Sequence, residues 1–110
     1  MRICHVARAE AWAAGQRQGL YTADLERRGF IQAVYRERWP LTKRRDFAGV
    51  YAPLVLVEIE SDLLTSVLIE EQPYPGAEEI TPRIYGPLNL DAVVRVRDIS
   101  RDRPDPAPVG

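Results

Sequence analysis

Apolar and polar positions recur with different periods along this chain, and the periods mark out its elements. Residues 2–6, Arg-Ile-Cys-His-Val, read as a short strand with Ile3 and His5 on one face and Cys4 and Val6 on the other. Over residues 8–18 the spacing becomes helical: Ala9, Trp12 and Ala13 form an i, i+3, i+4 stripe, and Glu10 complements the helix start. Gly19 suits the left-handed position that ends such a helix. Thr22 is placed to cap a short helical turn over residues 23–28, which Gly29 stops. Residues 30–34 read as a second strand. Pro40 then fits the first turn of a further helix reaching about Ala48, although Lys43, Arg44 and Arg45 dilute its apolar face.

The second half of the chain is strand-rich. Residues 54–60 begin continuously apolar, as in a central strand, and then alternate through Val57-Glu58-Ile59-Glu60. Ser61 and Asp62 turn the chain, and residues 66–70 form another strand. Residues 72–82 carry three prolines and Gly76 and read as a long loop, the kind that often holds function. Residues 83–85 are briefly extended, Gly86-Pro87 turn, and residues 92–99 give a last strand with Val94 and Val96 inward and Arg95 and Arg97 outward. The order of elements predicts one α+β domain over residues 1–99, with a mostly antiparallel sheet and two or three helices. Residues 100–110, with three prolines, are expected to form a disordered tail.

Composition narrows the chemistry. A chain of 110 residues suits a single small domain with one core. It has one cysteine and one histidine, which leaves no intrachain disulfide framework and no multi-histidine metal site. Net charge is −1, so nothing global points to nucleic acid or an anionic membrane. The distribution is uneven: residues 1–50 hold 10 Lys/Arg against 5 Asp/Glu, and residues 51–82 hold none against 7. Two readings fit that imbalance, solvated surfaces that meet as ion pairs or a basic groove for a phosphate-bearing ligand. No signal peptide or membrane span is visible, which makes a cytoplasmic protein the expectation.

The common catalytic motifs do not occur. There is no Gly-rich dinucleotide or Walker loop, no His-Glu-x-x-His, no Cys-x-x-Cys, and no nucleophile elbow around Ser61, Ser66 or Ser100. Cys4 and His5 are adjacent on a strand and point to opposite faces, so they cannot pair as thiolate and imidazole; Cys4 reads as a small buried hydrophobe. Glu70 and Glu71 diverge in the same way. The Lys43-Arg44-Arg45 run reads as an exposed helix face, with phosphate binding second.

Three stretches taken together are more specific: Ile3-Cys4-His5-Val6 with Trp12; Gly19-Leu20-Tyr21, Leu25 and Gly29-Phe30-Ile31; and Pro82-Arg83-Ile84-Tyr85-Gly86-Pro87-Leu88 leading into Ala92-Val93-Val94. Between them lies Leu54-Val55-Leu56-Val57-Glu58-Ile59. In this order they resemble the domain-of-unknown-function 952 family over residues 2–99. That family is similar in fold to ADP-ribosyltransferases and RNA 2′-phosphotransferases. The resemblance implies a split, twisted sheet with a cleft of the nicotinamide-dinucleotide type between its halves.

The family carries histidines at three places along this pattern. Here the first is His5, the second is replaced by Gln32 and the third by Arg83, with Ala33, Val34 and Thr81 also departing from the family. The family's glutamate falls on Glu70 or Glu71. Glutamine takes no proton at neutral pH, and arginine forks onto phosphate but is no general base. The resemblance therefore implies a ligand-binding cluster of His5, Gln32, Arg83 and a glutamate, with Tyr21 and Tyr85 to stack on a base or nicotinamide ring. It places binding of a small nucleotide, nicotinamide dinucleotide or ADP-ribose, above catalysis. A protein-interaction domain with a decayed cleft is the alternative.

Overall fold

The computed structural model describes residues 1–100, and most of the tail expected over 100–110 lies outside them. Among the described residues, nine strands and three α-helices form. The strands are β1 (Arg2–Arg8), β2 (Leu20–Tyr21), β3 (Ile31–Gln32), β4 (Val34–Tyr35), β5 (Leu54–Glu60), β6 (Val67–Glu71), β7 (Thr81–Tyr85), β8 (Leu88–Asn89) and β9 (Val93–Asp98). The helices are α1 (Ala9–Gln18), α2 (Leu25–Arg28) and α3 (Trp39–Asp46). The strands pair antiparallel into three sheets, ordered β4-β1-β5-β9, β3-β7-β6 and β2-β8. The α+β, mostly antiparallel architecture is as expected. No helix among the described residues is long and apolar enough to cross a membrane.

β1 and β5 form the spine because both are apolar enough to be buried on two faces. Their register is unbroken from Arg2 opposite Glu60 to Arg8 opposite Leu54. One face of this pair carries Ile3, His5, Ala7, Val57 and Ile59 toward the main core, where Trp12, Tyr21, Ile31, Ile84 and Leu88 meet them. The other face carries Cys4, Val6, Leu54 and Leu56, with Val34 and Ile99, against Trp39, Phe47 and Val50.

Local corrections have physical causes. The predicted strand over residues 30–34 divides at Ala33: Ile31–Gln32 joins β7, and Val34–Tyr35 joins β1. Ala33 is fully buried, and its amide donates to the Pro82 carbonyl at 3.0 Å. The chain thus crosses between sheets at a residue too small to obstruct the crossing. β9 is an edge strand, and neither of its faces is closed off as expected. Arg95 and Arg97 lie over Glu58, and Val94 and Val96 are exposed. Glu58 is a buried carboxylate ringed by Arg2, Arg95 and Arg97 at 3.5–3.8 Å, and its charge holds these arginines over it. The α1 stripe buries Trp12 and Gly15 rather than Ala9 and Ala13. Thr22 provides no side-chain cap; its carbonyl accepts from the Leu25 amide instead.

The chain remains held past the expected boundary at residue 99. The Ser100 hydroxyl accepts from the Leu54 amide at 2.8 Å and returns a bond to the Leu54 carbonyl.

Candidate functional site

His5 stands where the three sheets meet. It projects from β1 into the main core and is 3% exposed. Its Nδ1 lies 2.7 Å from the Gln32 backbone carbonyl, which can only accept. Nδ1 is therefore the protonated nitrogen, and Nε2 is left as an acceptor. The Tyr21 hydroxyl, 2.9 Å away, donates to it. One imidazole thereby ties β1 to β3 and to β2.

Burial holds the His5 pKa below the ordinary imidazole value; its bond to the Gln32 carbonyl and the Asp24 carboxylate pull the other way, and Arg28 adds to the depression. The ring is neutral near pH 7. Burial also raises the Tyr21 phenol, so Tyr21 stays a neutral donor. Tyr21 is packed by the Trp12 ring at 5.5 Å and by Gly15, where an added Cβ would sit 3.1 Å from the Tyr21 Cα. The pair is rigid, and both imidazole nitrogens are engaged.

A hollow of about 430 Å³ opens beside this pair, a size that suits a small molecule. His5, Tyr21 and Gln32 line it. Around them are Arg8, Arg27, Arg28 and Asp24. Arg27 pairs with Asp24 at 3.2 Å, and Arg28 donates to the Gln32 side-chain oxygen. These cations were not among the sequence candidates. Their signal was the Arg27-Arg28 pair directly before Gly29 and the Phe30-Ile31-Gln32 stretch. Gln32 also lines a neighbouring hollow of about 730 Å³ beneath the Tyr74 loop, with Arg45 and Glu79 on its walls. That loop is folded on itself: the Gln72 amide donates to the Ala77 carbonyl at 2.8 Å.

The remaining candidates do not reach the His5 hollow. Arg83 is the register partner of Gln32, yet it does not line the hollow. It sits 4.2 Å from the centre of the Phe30 ring, pairs with Glu71 at 3.5 Å, and donates to the Pro73 carbonyl. The Tyr85 hydroxyl also donates to Glu71, and its ring lies 5.6 Å from Phe30. Glu71, Arg83 and Tyr85 therefore close on one another and on Phe30. Glu70 is on the opposite side of β6, where it accepts from Tyr35 and helps to raise the Tyr35 pKa, behind the larger effect of burial. The single converging cluster is replaced by two: His5, Tyr21 and Gln32 at the hollow, and Glu71, Arg83 and Tyr85 outside it.

Arg83 is thus ion-paired to a carboxylate of the acidic block of residues 51–82. Cys4 is buried on the α3 side of β1, and burial, aided by Glu58, pushes its thiol up to about 11, which leaves it unreactive.

A family model described as a protein of unknown function (DUF952) matches residues 6–96. The crystal structure of protein CC0527 from Caulobacter crescentus is similar, with a TM-score of 0.74 and 30% identity over 89% of this chain and 85% of that one. The solution structure of CC0527 gives a TM-score of 0.69 at 30% identity, over 88% and 83% of the two chains. No curated protein matches.

Proposed function

This chain belongs to the DUF952 family, and from that premise we propose that it is a non-catalytic binding domain whose His5 hollow takes a nucleotide-type ligand, ADP-ribose or a nicotinamide dinucleotide, in an ADP-ribosyltransferase-like cleft. The observation that supports this reading is the hollow itself: a space of about 430 Å³ at the junction of three sheets, whose lining includes Arg8, Arg27 and Arg28 beside Asp24, Glu26 and Asp46. Three guanidinium groups suit phosphate oxygens, which they bind as planar forks. Ala7, Ala11 and Val34 supply apolar wall for a ring or ribose.

The same geometry argues for binding over acid–base catalysis. A general base needs a nitrogen that can reach the substrate. Both His5 nitrogens are spent on the fold, and Gln32 takes no proton. Calorimetric titration of the full chain with ADP-ribose tests the reading. Arg28→Ala is expected to weaken binding about tenfold or more, the scale of one hydrogen bond to a charged group. Absence of heat with both ADP-ribose and nicotinamide dinucleotide overturns it.

The second reading is a protein-interaction domain with a decayed cleft. It is favoured by the closure of Arg83, Tyr85 and Glu71 on one another, away from the hollow. Turnover of a dinucleotide by the purified chain removes it.

A further inference from the structure

The His5 hollow has a neighbour. Gln32 is part of its lining and also of the hollow of about 730 Å³ beneath the Tyr74 loop. The two linings meet again at the end of α3, where Asp46 borders the first space, Arg45 borders the second, and the two side chains pair at 3.1 Å. Gln32 is half engaged: its side-chain oxygen accepts from Arg28, and its amide nitrogen has no partner among the described residues. The second hollow differs from the first in chemistry. Its Arg45 is held by Asp46, and its Glu79 carboxylate is held by Arg38 at 2.6 Å. That leaves three groups to meet a ligand: the Glu78 carboxylate, which has no ion pair among the described residues, the Thr81 hydroxyl, and the exposed Tyr74 ring.

Resting on the nucleotide reading of the His5 hollow, we propose that the Tyr74 hollow is a second subsite of the same cleft. It takes the uncharged, hydroxyl-bearing end of the ligand, the terminal ribose of ADP-ribose, while the pyrophosphate stays on the arginines of the first hollow. A space whose unpaired charge is a carboxylate repels phosphate and accepts from hydroxyls. The two Glu78 oxygens can receive the neighbouring hydroxyls of a ribose, and Thr81 can donate or accept. The Tyr74 ring offers a face to the C–H side of the sugar. Gln32, at the junction, turns the unpartnered N–H groups of its amide to an oxygen of the link between phosphate and ribose. Charge therefore sorts one half of the ligand and hydroxyls sort the other.

Calorimetric titration of the full chain with ADP-ribose and with ADP, which lacks the terminal ribose, separates the two halves. Tyr74→Ala and Glu78→Ala are each expected to weaken ADP-ribose about fivefold, the scale of one ring contact or hydrogen bond, and to leave the affinity for ADP as it was. Both side chains are exposed, so the melting temperature is expected to stay unchanged. An unchanged affinity for ADP-ribose in both variants overturns the second subsite and leaves the nucleotide reading standing. Equal losses for ADP and ADP-ribose also overturn it, because the two residues then act on the half that the ligands share. Absence of heat with both ligands counts against the nucleotide reading itself, and the second subsite falls with it.

Discussion

His5 does two jobs that a ligand-binding histidine cannot combine. Its Nδ1–H holds the Gln32 carbonyl and its Nε2 receives the Tyr21 hydroxyl, so the ring is committed to the fold. As the one histidine of the chain, it gives a single, unambiguous imidazole signal in nuclear magnetic resonance. That signal is expected to show the neutral Nδ1–H tautomer at pH 7 and to titrate below the unfolded value of about 6.5. The consequence for stability has a definite sign. Between the folded and unfolded pKa values the unfolded chain binds the extra proton, so stability is full above about pH 6.5 and falls as the pH drops below it. Urea midpoints at pH 7.5 and 5.5 check this, and an unchanged midpoint counts against it. Tyr21→Phe leaves Nε2 buried without a donor and is expected to cost about 1–3 kcal/mol, read from the same urea curves.

At the scale of the element, Gly15 is the informative position. Alanine favours a helix over glycine by about 1 kcal/mol. Here the added Cβ would meet the Tyr21 Cδ1 at 3.0 Å and its Cα at 3.1 Å, and the backbone atom cannot swing aside. Gly15→Ala is therefore expected to lower the melting temperature and to shift the His5 imidazole signal, because Tyr21 must move. A variant as stable as the parent would mean that α1 slides freely on β2. Much of the element pattern was legible beforehand for a simple reason: β1, β5 and α1 run for seven to ten residues, long enough to show a period. β2, β4 and β8 have two residues each, and no period can be read from two. β9 was expected to bury one face; alternation does not show that it is an edge strand with both faces partly in solvent, or that Glu58 would hold its arginines. The candidate site divides on similar grounds. His5, Tyr21 and Gln32 were reached through a family pattern that follows the β1–β3 junction. Arg83 was assigned to the same site by that pattern, but Phe30 and Glu71 capture its guanidinium outside it.

For the whole molecule, the sheets are not independent. The chain passes from one to another at Ala33, and His5 bonds across the same junction. Unfolding is expected to be one cooperative transition, with Tyr21→Phe lowering the midpoint equally for Trp12 and Trp39 fluorescence and for the backbone signal of the strands. Separate midpoints would show that β3-β7-β6 unfolds alone.

β6 closes that three-stranded sheet at its outer edge, with Val67 and Ile69 facing solvent and Glu70-Glu71 at its end. Its outer edge has no strand beside it among the described residues, and such an edge is a template on which another extended chain can grow; a net charge of −1 offers little general repulsion between molecules. Charges on a sheet edge disfavour the addition of a foreign strand, and here two carboxylates stand one on each side of the strand. Glu71 thus has a second consequence: besides receiving Arg83 and Tyr85, it puts a charge on this edge, and Glu71→Val is expected to raise light scattering at high protein concentration.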